Sequence, residues 1–133
     1  MPKKYKYFSE NDFAKSKIIL VPCSIKDMRP STLERLDEAR EYAGIPFKVT
    51  CGARSLEHEL SKGRDGTTSH LVDHDKEILC KAVDLKLSNS SKRMIALRAL
   101  LRAGFSRIGV YSWGLHVDDD ENKPQNVMWY GGY

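Results

Sequence analysis

Three short pieces of this chain each set one good metal ligand beside apolar, strand-forming residues. They are Thr68-Ser69-His70-Leu71, Lys81-Ala82-Val83-Asp84-Leu85 and Gly114-Leu115-His116-Val117-Asp118. A His, an Asp and a second His make a three-ligand set that leaves one corner of a tetrahedral zinc open. That is the arrangement of a catalytic site, since a structural zinc usually has four protein ligands. The third piece alternates with period two, so His116 and Asp118 share one face of a strand and Leu115 and Val117 the other. Any fold that uses the set must make pieces far apart in the chain converge.

The 133 residues fit one domain, 1–133. Hydrophobic residues at 41% and charged residues at 30% predict a globular chain rather than a disordered one. The longest apolar run, Ile18 to Val21, is strand-sized, far short of the roughly 18 residues that span a membrane. The basic start Met1-Pro2-Lys3-Lys4-Tyr5-Lys6 has no apolar stretch behind it, so no secretory signal is read and synthesis in the cytoplasm is expected. Cys23, Cys51 and Cys80 match neither a paired-cysteine metal site nor a disulfide framework, and read as small buried hydrophobes. A net charge of +4 raises the question of nucleic acid. The basic residues are scattered among acids with no aromatic-interleaved stripe, so nucleic acid is the least favoured partner.

Phe8 to Phe13 reads as a helix start, with Ser9 as N-cap and Asp12 closing an approximate capping box. Residues 1–7 before it read as a flexible or edge segment. Ser31 and Glu34 form a capping box for a helix whose apolar stripe is Leu33, Leu36, Ala39 and Ala43, ended by Gly44 and barred from restarting by Pro46. Phe47 to Cys51 is a strand with Gly52-Ala53-Arg54-Ser55 as its exit, and Leu56 to Leu60 a helical turn. A Gly-rich polar loop, Ser61 to Thr68, delivers Ser69-His70. Ser88 to Ser91 is a cap cluster before a helix to Ala103, with Met94, Ile95, Leu97, Leu100 and Leu101 on its packing face and Gly104 as its stop. Phe105 to Tyr111 and Leu115 to Asp118 then read as a hairpin, and Val127 to Tyr130 as a last strand or a cover over the site.

These landmarks, in this order, resemble the zinc D-alanyl-D-alanine carboxypeptidase family, whose fold is shared with the hedgehog signalling domain. The small phage-encoded branch is the nearest likeness. The resemblance runs from about Tyr7 to Tyr130 and rests on Phe8-Ser9, Val49 to Ser55, Ser69-His70-Leu71, Lys81 to Leu85, Ala103 to Gly109, His116-Val117-Asp118 and Lys123 to Val127. It implies an α+β fold, a small antiparallel sheet with helices packed on one side and the metal in a cleft over the sheet. It further implies Zn2+ held by His70, Asp84 and His116, with Arg54 and Ser69 holding substrate. Arginine suits that task, because a guanidinium grips a carboxylate with two parallel hydrogen bonds.

The implied activity is hydrolysis of short peptides of bacterial peptidoglycan by a monomer that neither inserts into membranes nor binds nucleic acid. Delivery to the cell wall would then need a lysis channel, a virion or cell death. The chain departs from the family pattern twice. Thirteen residues (71–83) separate His70 from Asp84, more than the family spacing, which makes Val72 to Glu77 a polar insertion and His74 and Asp75 rival ligands. The acid expected shortly before the last His is absent, with Ser112, Trp113 and Gly114 there instead. Asp118 is left as the candidate general base for the attacking water, or else as the partner that orients a ligand histidine. Rival functions are an L-Ala–D-Glu or cross-bridge endopeptidase, and a non-catalytic wall-binding or virion module that keeps the fold.

Overall fold

The computed structural model describes residues 5–10, 12, 25–51, 54–55 and 68–131. Among them the chain is α+β: a five-stranded sheet, a separate two-stranded pair and two α-helices.

Helix α1, Pro30–Ala43, buries Thr32, Leu33, Leu36 and Ala39 and ends at Gly44, whose φ of 66° and N–H to the Arg40 carbonyl make the expected left-handed stop. Its start differs from the expected Ser31 cap. Arg29 holds the cap position without a side-chain bond, and Pro30 opens the helix. A proline there has its φ preset and no N–H to satisfy, so Ser31 falls inside the first turn. Helix α2, Ser90–Arg102, is capped by Asn89, whose side chain accepts from the Lys92 N–H at 3.0 Å. Its packed face also differs from expectation. Ala96, Ala99 and Leu100 are buried, whereas Met94 and Leu101 are more than half exposed. Small alanines allow α2 close to α1 and the sheet, Leu100 is buried as expected with Leu97 packed against the core, and Met94 and Leu101 turn outward.

The main sheet comprises β1 (Lys48–Cys51), β4 (Ala82–Lys86), β5 (Arg107–Val110), β6 (Gly114–Asp118) and β7 (Val127–Tyr130), in the order β1-β4-β6-β5-β7. The expected all-antiparallel sheet is corrected to a mixed one, because β7 runs parallel to β5. The loop after β6 steps over the start of β5, so β7 lands on the far side of β5. Arg107 Nη1 donating to the Pro124 carbonyl at 2.6 Å and Ser106 Oγ to Gln125 at 2.7 Å fasten that crossing. Strands β2 (Arg54–Ser55) and β3 (Leu71–Val72) form the small parallel pair.

Period two divides the sheet as expected. Val83, Leu85, Ile108, Leu115 and Val117 join Leu33, Leu36 and Leu100 in one buried cluster under the helices. The opposite face carries Asp84, His116 and Asp118. The insertion expected at Val72 to Glu77 closes on itself, with Asp73 and Ile78 exchanging two backbone hydrogen bonds of 2.8 Å around a turn of 3-10 helix, His74–Lys76. Lys81 N–H then donates to the Ser69 carbonyl at 2.9 Å, so the excursion leaves the chain where it entered. Residues 5–10 are docked rather than loose, since the Lys6 and Tyr7 N–H groups donate to the Asp37 carboxylate. Ser9 N–H donates to Asp12 at 2.7 Å, the return bond of the expected capping box.

Two glycines make a graded test of this packing. Gly44 has a left-handed φ but open space around an added Cβ, whereas at Gly114 a Cβ would lie 1.9 Å from the Leu85 carbonyl oxygen, with φ at 155°. Gly44→Ala should cost about 1 kcal/mol. Gly114→Ala should cost more than about 3 kcal/mol, since β4 must move to admit it. Urea unfolding of both variants measures the difference.

Candidate metal centre

The geometry of the site follows from strand register. Asp84 in β4 stands directly opposite His116 in β6. His70 arrives from the turn before β3, where Leu71 N–H bonds the Thr68 carbonyl and the Ser69 carbonyl takes the Lys81 N–H. His116 Nδ1 lies 3.0 Å from Asp84 Oδ1, and His70 Nε2 lies 3.3 Å from both. A tetrahedral ion with bonds of about 2.0–2.1 Å separates its ligand atoms by about 3.3 Å. The three atoms therefore outline one face of such a tetrahedron. Among the described residues this is the one group of three or more potential ligands that could hold a metal ion. Of the rival ligands, the side chain of His74 lies outside the described residues, and Asp75 is exposed and not part of the group.

Asp118 holds His116 from the other side. His116 Nε2 donates to Asp118 Oδ2 at 2.8 Å, while Asp118 Oδ1 accepts from Arg107 Nε at 2.7 Å and from the Asp120 N–H at 3.1 Å. Arg107 is the cross-strand partner of Asp118, so the ion pair is set by register as well. Asp118 is 1% exposed, a burial tolerable for a carboxylate only because these donors satisfy it.

The charges are coupled. Burial alone would raise the Asp84 carboxyl, but hydrogen bonds from His116 and His70 outweigh it and hold Asp84 far below the usual carboxylate range. Burial would likewise raise Asp118, and its bonds to His116 and the Asp120 N–H bring it down. Burial would lower His116, yet the carboxylates at both ring nitrogens raise it above the ordinary imidazole value.

One end of the row is aromatic. Gly109 is the cross-strand partner of both His116 and Trp129, and an added Cβ there would lie 2.6 Å from the Trp129 Nε1. The bare glycine lets the indole lie over β5, 5.5 Å from the His116 ring centre. Trp129 Nε1 donates to the Tyr111 hydroxyl at 2.9 Å, and Tyr111 stacks on Trp113 at 4.8 Å. These rings, the three candidate ligands and Lys123 line a cleft of about 370 Å3, within the usual range for small-ligand sites. A larger groove of about 500 Å3, lined by Leu97, Leu101, Phe105 and Met128 among others, lacks titratable groups.

Of the two residues expected to hold substrate, Ser69 is buried and already engaged. Its hydroxyl donates to Asp120 Oδ2 at 2.9 Å and accepts from Lys123 Nζ at 2.8 Å. Arg54 pairs through its backbone with Leu71, next to His70, and its side chain lies outside the described residues. Sequence reasoning missed Arg107, Asp120 and Lys123 as parts of the site, and had Trp129 only within a segment read as a last strand or a cover. Gly109 inside a strand was the available signal, since such a glycine often marks a close approach.

Comparison of the chain with protein-family models, curated proteins and solved structures finds no match. No described helix is long and apolar enough to cross a membrane.

The direction of the histidine shift predicts how a metal would bind. A cation at His116 Nδ1 requires the neutral ring, so proton and metal compete there. With its folded value raised, His116 stabilises the metal-free chain fully below about pH 6.5, and this contribution fades as pH rises through the folded value. Added zinc should thus raise the melting temperature little at about pH 6 and much more at about pH 8. Differential scanning calorimetry with zinc and with chelator, across that range, checks it.

Proposed function

We propose that this chain is a zinc-dependent peptidase of the D-alanyl-D-alanine carboxypeptidase type, acting on short peptides of bacterial peptidoglycan with a hedgehog/peptidase-like fold. The observation that carries the reading is the triangle of His70 Nε2, Asp84 Oδ1 and His116 Nδ1, whose edges of 3.0 to 3.3 Å suit three ligands of one small cation. The ordered sequence landmarks quoted above support the same choice of residues. Two imidazoles and a carboxylate are a donor set suited to zinc, with one corner open. Zinc, when bound, supplies Lewis acidity for the scissile carbonyl and a more acidic attacking water.

The chain's own residues supply position. Asp118, fixed by Arg107, accepts from His116 Nε2 and so turns Nδ1 toward Asp84 and His70. Of the two roles open to Asp118, orienting His116 fits this geometry better than taking a proton, since both its oxygens are occupied. The aromatic wall of Tyr111, Trp113 and Trp129 gives a substrate an apolar surface and limits water on that side.

One observation favours a second reading, a fold retained without catalysis. Both carboxylates lining the cleft among the described residues are engaged, Asp84 by the histidines and Asp118 by His116 and Arg107. Neither stands ready as a general base.

Zinc content measured on the purified chain, followed by mass spectrometry of digested peptidoglycan, tests both readings. Release of terminal D-alanine that a chelator abolishes supports the carboxypeptidase. Internal cuts would make it an endopeptidase, and zinc without products would support the second reading. His116→Ala and Asp84→Asn should abolish stoichiometric zinc. Asp118→Asn should keep the site but weaken zinc binding by about 10–100-fold.

A further inference from the structure

The same cleft is lined by a lysine, Lys123, beside a buried carboxylate. Asp120 is buried and carries one negative charge, yet two ammonium groups face it: Lys81 Nζ at 3.9 Å from Oδ1 and Lys123 Nζ at 3.9 Å from Oδ2. One positive charge is left in excess, and the more exposed of the two lysines, Lys123, lines the cleft beside His70 and Asp84.

The ammonium is held in place. Ser69 Oγ accepts one of its protons at 2.8 Å and passes its own to Asp120 at 2.9 Å, while Asp120 itself is too far from Nζ for a hydrogen bond. Two of the three ammonium donors remain for a ligand. The loop that presents Lys123 is pinned by Gln125, whose side-chain amide donates to the Asp120 and Lys123 carbonyls at 2.9 and 2.8 Å. The other cation of the cleft, Arg107, has its charge paired with the buried Asp118 at 2.7 Å and also donates to the Pro124 carbonyl. A cation with fixed position, spare donors and an excess of charge, set beside the candidate metal triangle, has the properties of a carboxylate anchor.

We propose that Lys123 binds the free carboxylate of a peptide ligand and thereby selects acidic peptide ends, with Ser69 and Asp120 acting as the positioning pair behind it. This deepens the peptidase reading and rests on it for the identity of the ligand. It gives the buried Ser69 an indirect role, holding the lysine rather than the substrate.

The test compares acetyl-D-alanyl-D-alanine with its C-terminal amide. Binding to the full chain is measured by calorimetry, once zinc-loaded and once metal-free, since zinc itself favours a carboxylate. Zinc content is measured in parallel. The acid should bind about tenfold to a hundredfold tighter than the amide in both forms, the range of a charge-assisted hydrogen bond. Lys123→Met should lose that preference in the metal-free chain with zinc content unchanged, and Lys123→Arg should keep most of it. Ser69 and Asp120 should remain bonded to each other in these variants, and thermal melts would check that they fold. An unchanged acid preference in Lys123→Met overturns the proposal, as does equal binding of acid and amide by the parent chain. Absence of zinc would instead overturn the peptidase reading, and the metal-free comparison would still decide the role of Lys123.

Discussion

The contact between Asp84 and His116 across β4 and β6 is the constraint on which the site depends. It follows from register: with Asp84 opposite His116, the next pair in line is Val83 with Val117, facing the helices. A slip of one residue would bury both charged groups in the apolar cluster and expose the valines. The hydrophobic core and the candidate metal centre therefore specify one another. Burial of Leu85, Leu115 and Val117 holds the register, and the register brings the carboxylate and imidazole together on the other face.

His70 joins by a different route. It lies in a turn rather than in the main sheet, and thirteen residues separate it from Asp84. The bond between Ser69 and Lys81 brings the two ends of that separation together, while Leu71–Val72 pair with β2 and Val72 and Cys80 pack into the core, so that only the turn between Asp73 and Ile78 is looped out. The geometry of the triangle thus depends on the paired and buried residues at the two ends of this segment, and the Asp73–Ile78 turn between them is a surface connection.

Much of this was legible in advance, for local reasons. Period two put His116 and Asp118 on one face, Gly44 marked its helix end, and the α+β class implied by the resemblance was compatible with the order of elements. The resemblance grouped His70, Asp84 and His116, a choice that residue spacing alone could not make. What stayed hidden was long-range or steric. The helix α1 began at Pro30 because a proline competes well with a serine cap, and α2 turned its alanines inward because closeness mattered more than side-chain size. The parallel seating of β7 depends on a loop stepping over β5. Arg107 could be matched to Asp118 only once strand pairing was known, and Lys123 only once the loop after β6 was seen to fold back beside Ser69.

The pairing of Arg107 with Asp118 also explains how so polar a row can be buried. Asp84 and Asp118 would repel and be costly to bury if left alone. When protonated, His116 between them satisfies both, and Arg107 carries the remaining charge. In that state the imidazolium donates to each carboxylate from the nitrogen that already faces it, so the ring has the orientation a metal would require. A proton and the proposed divalent cation would then be alternative occupants of one place, and exchanging them would need no rotation of His116. This differs from small metal-dependent folds, where ligands converge only when the ion arrives. Here the apolar face of the sheet fixes the positions, and the ionisable groups adjust their protons to suit.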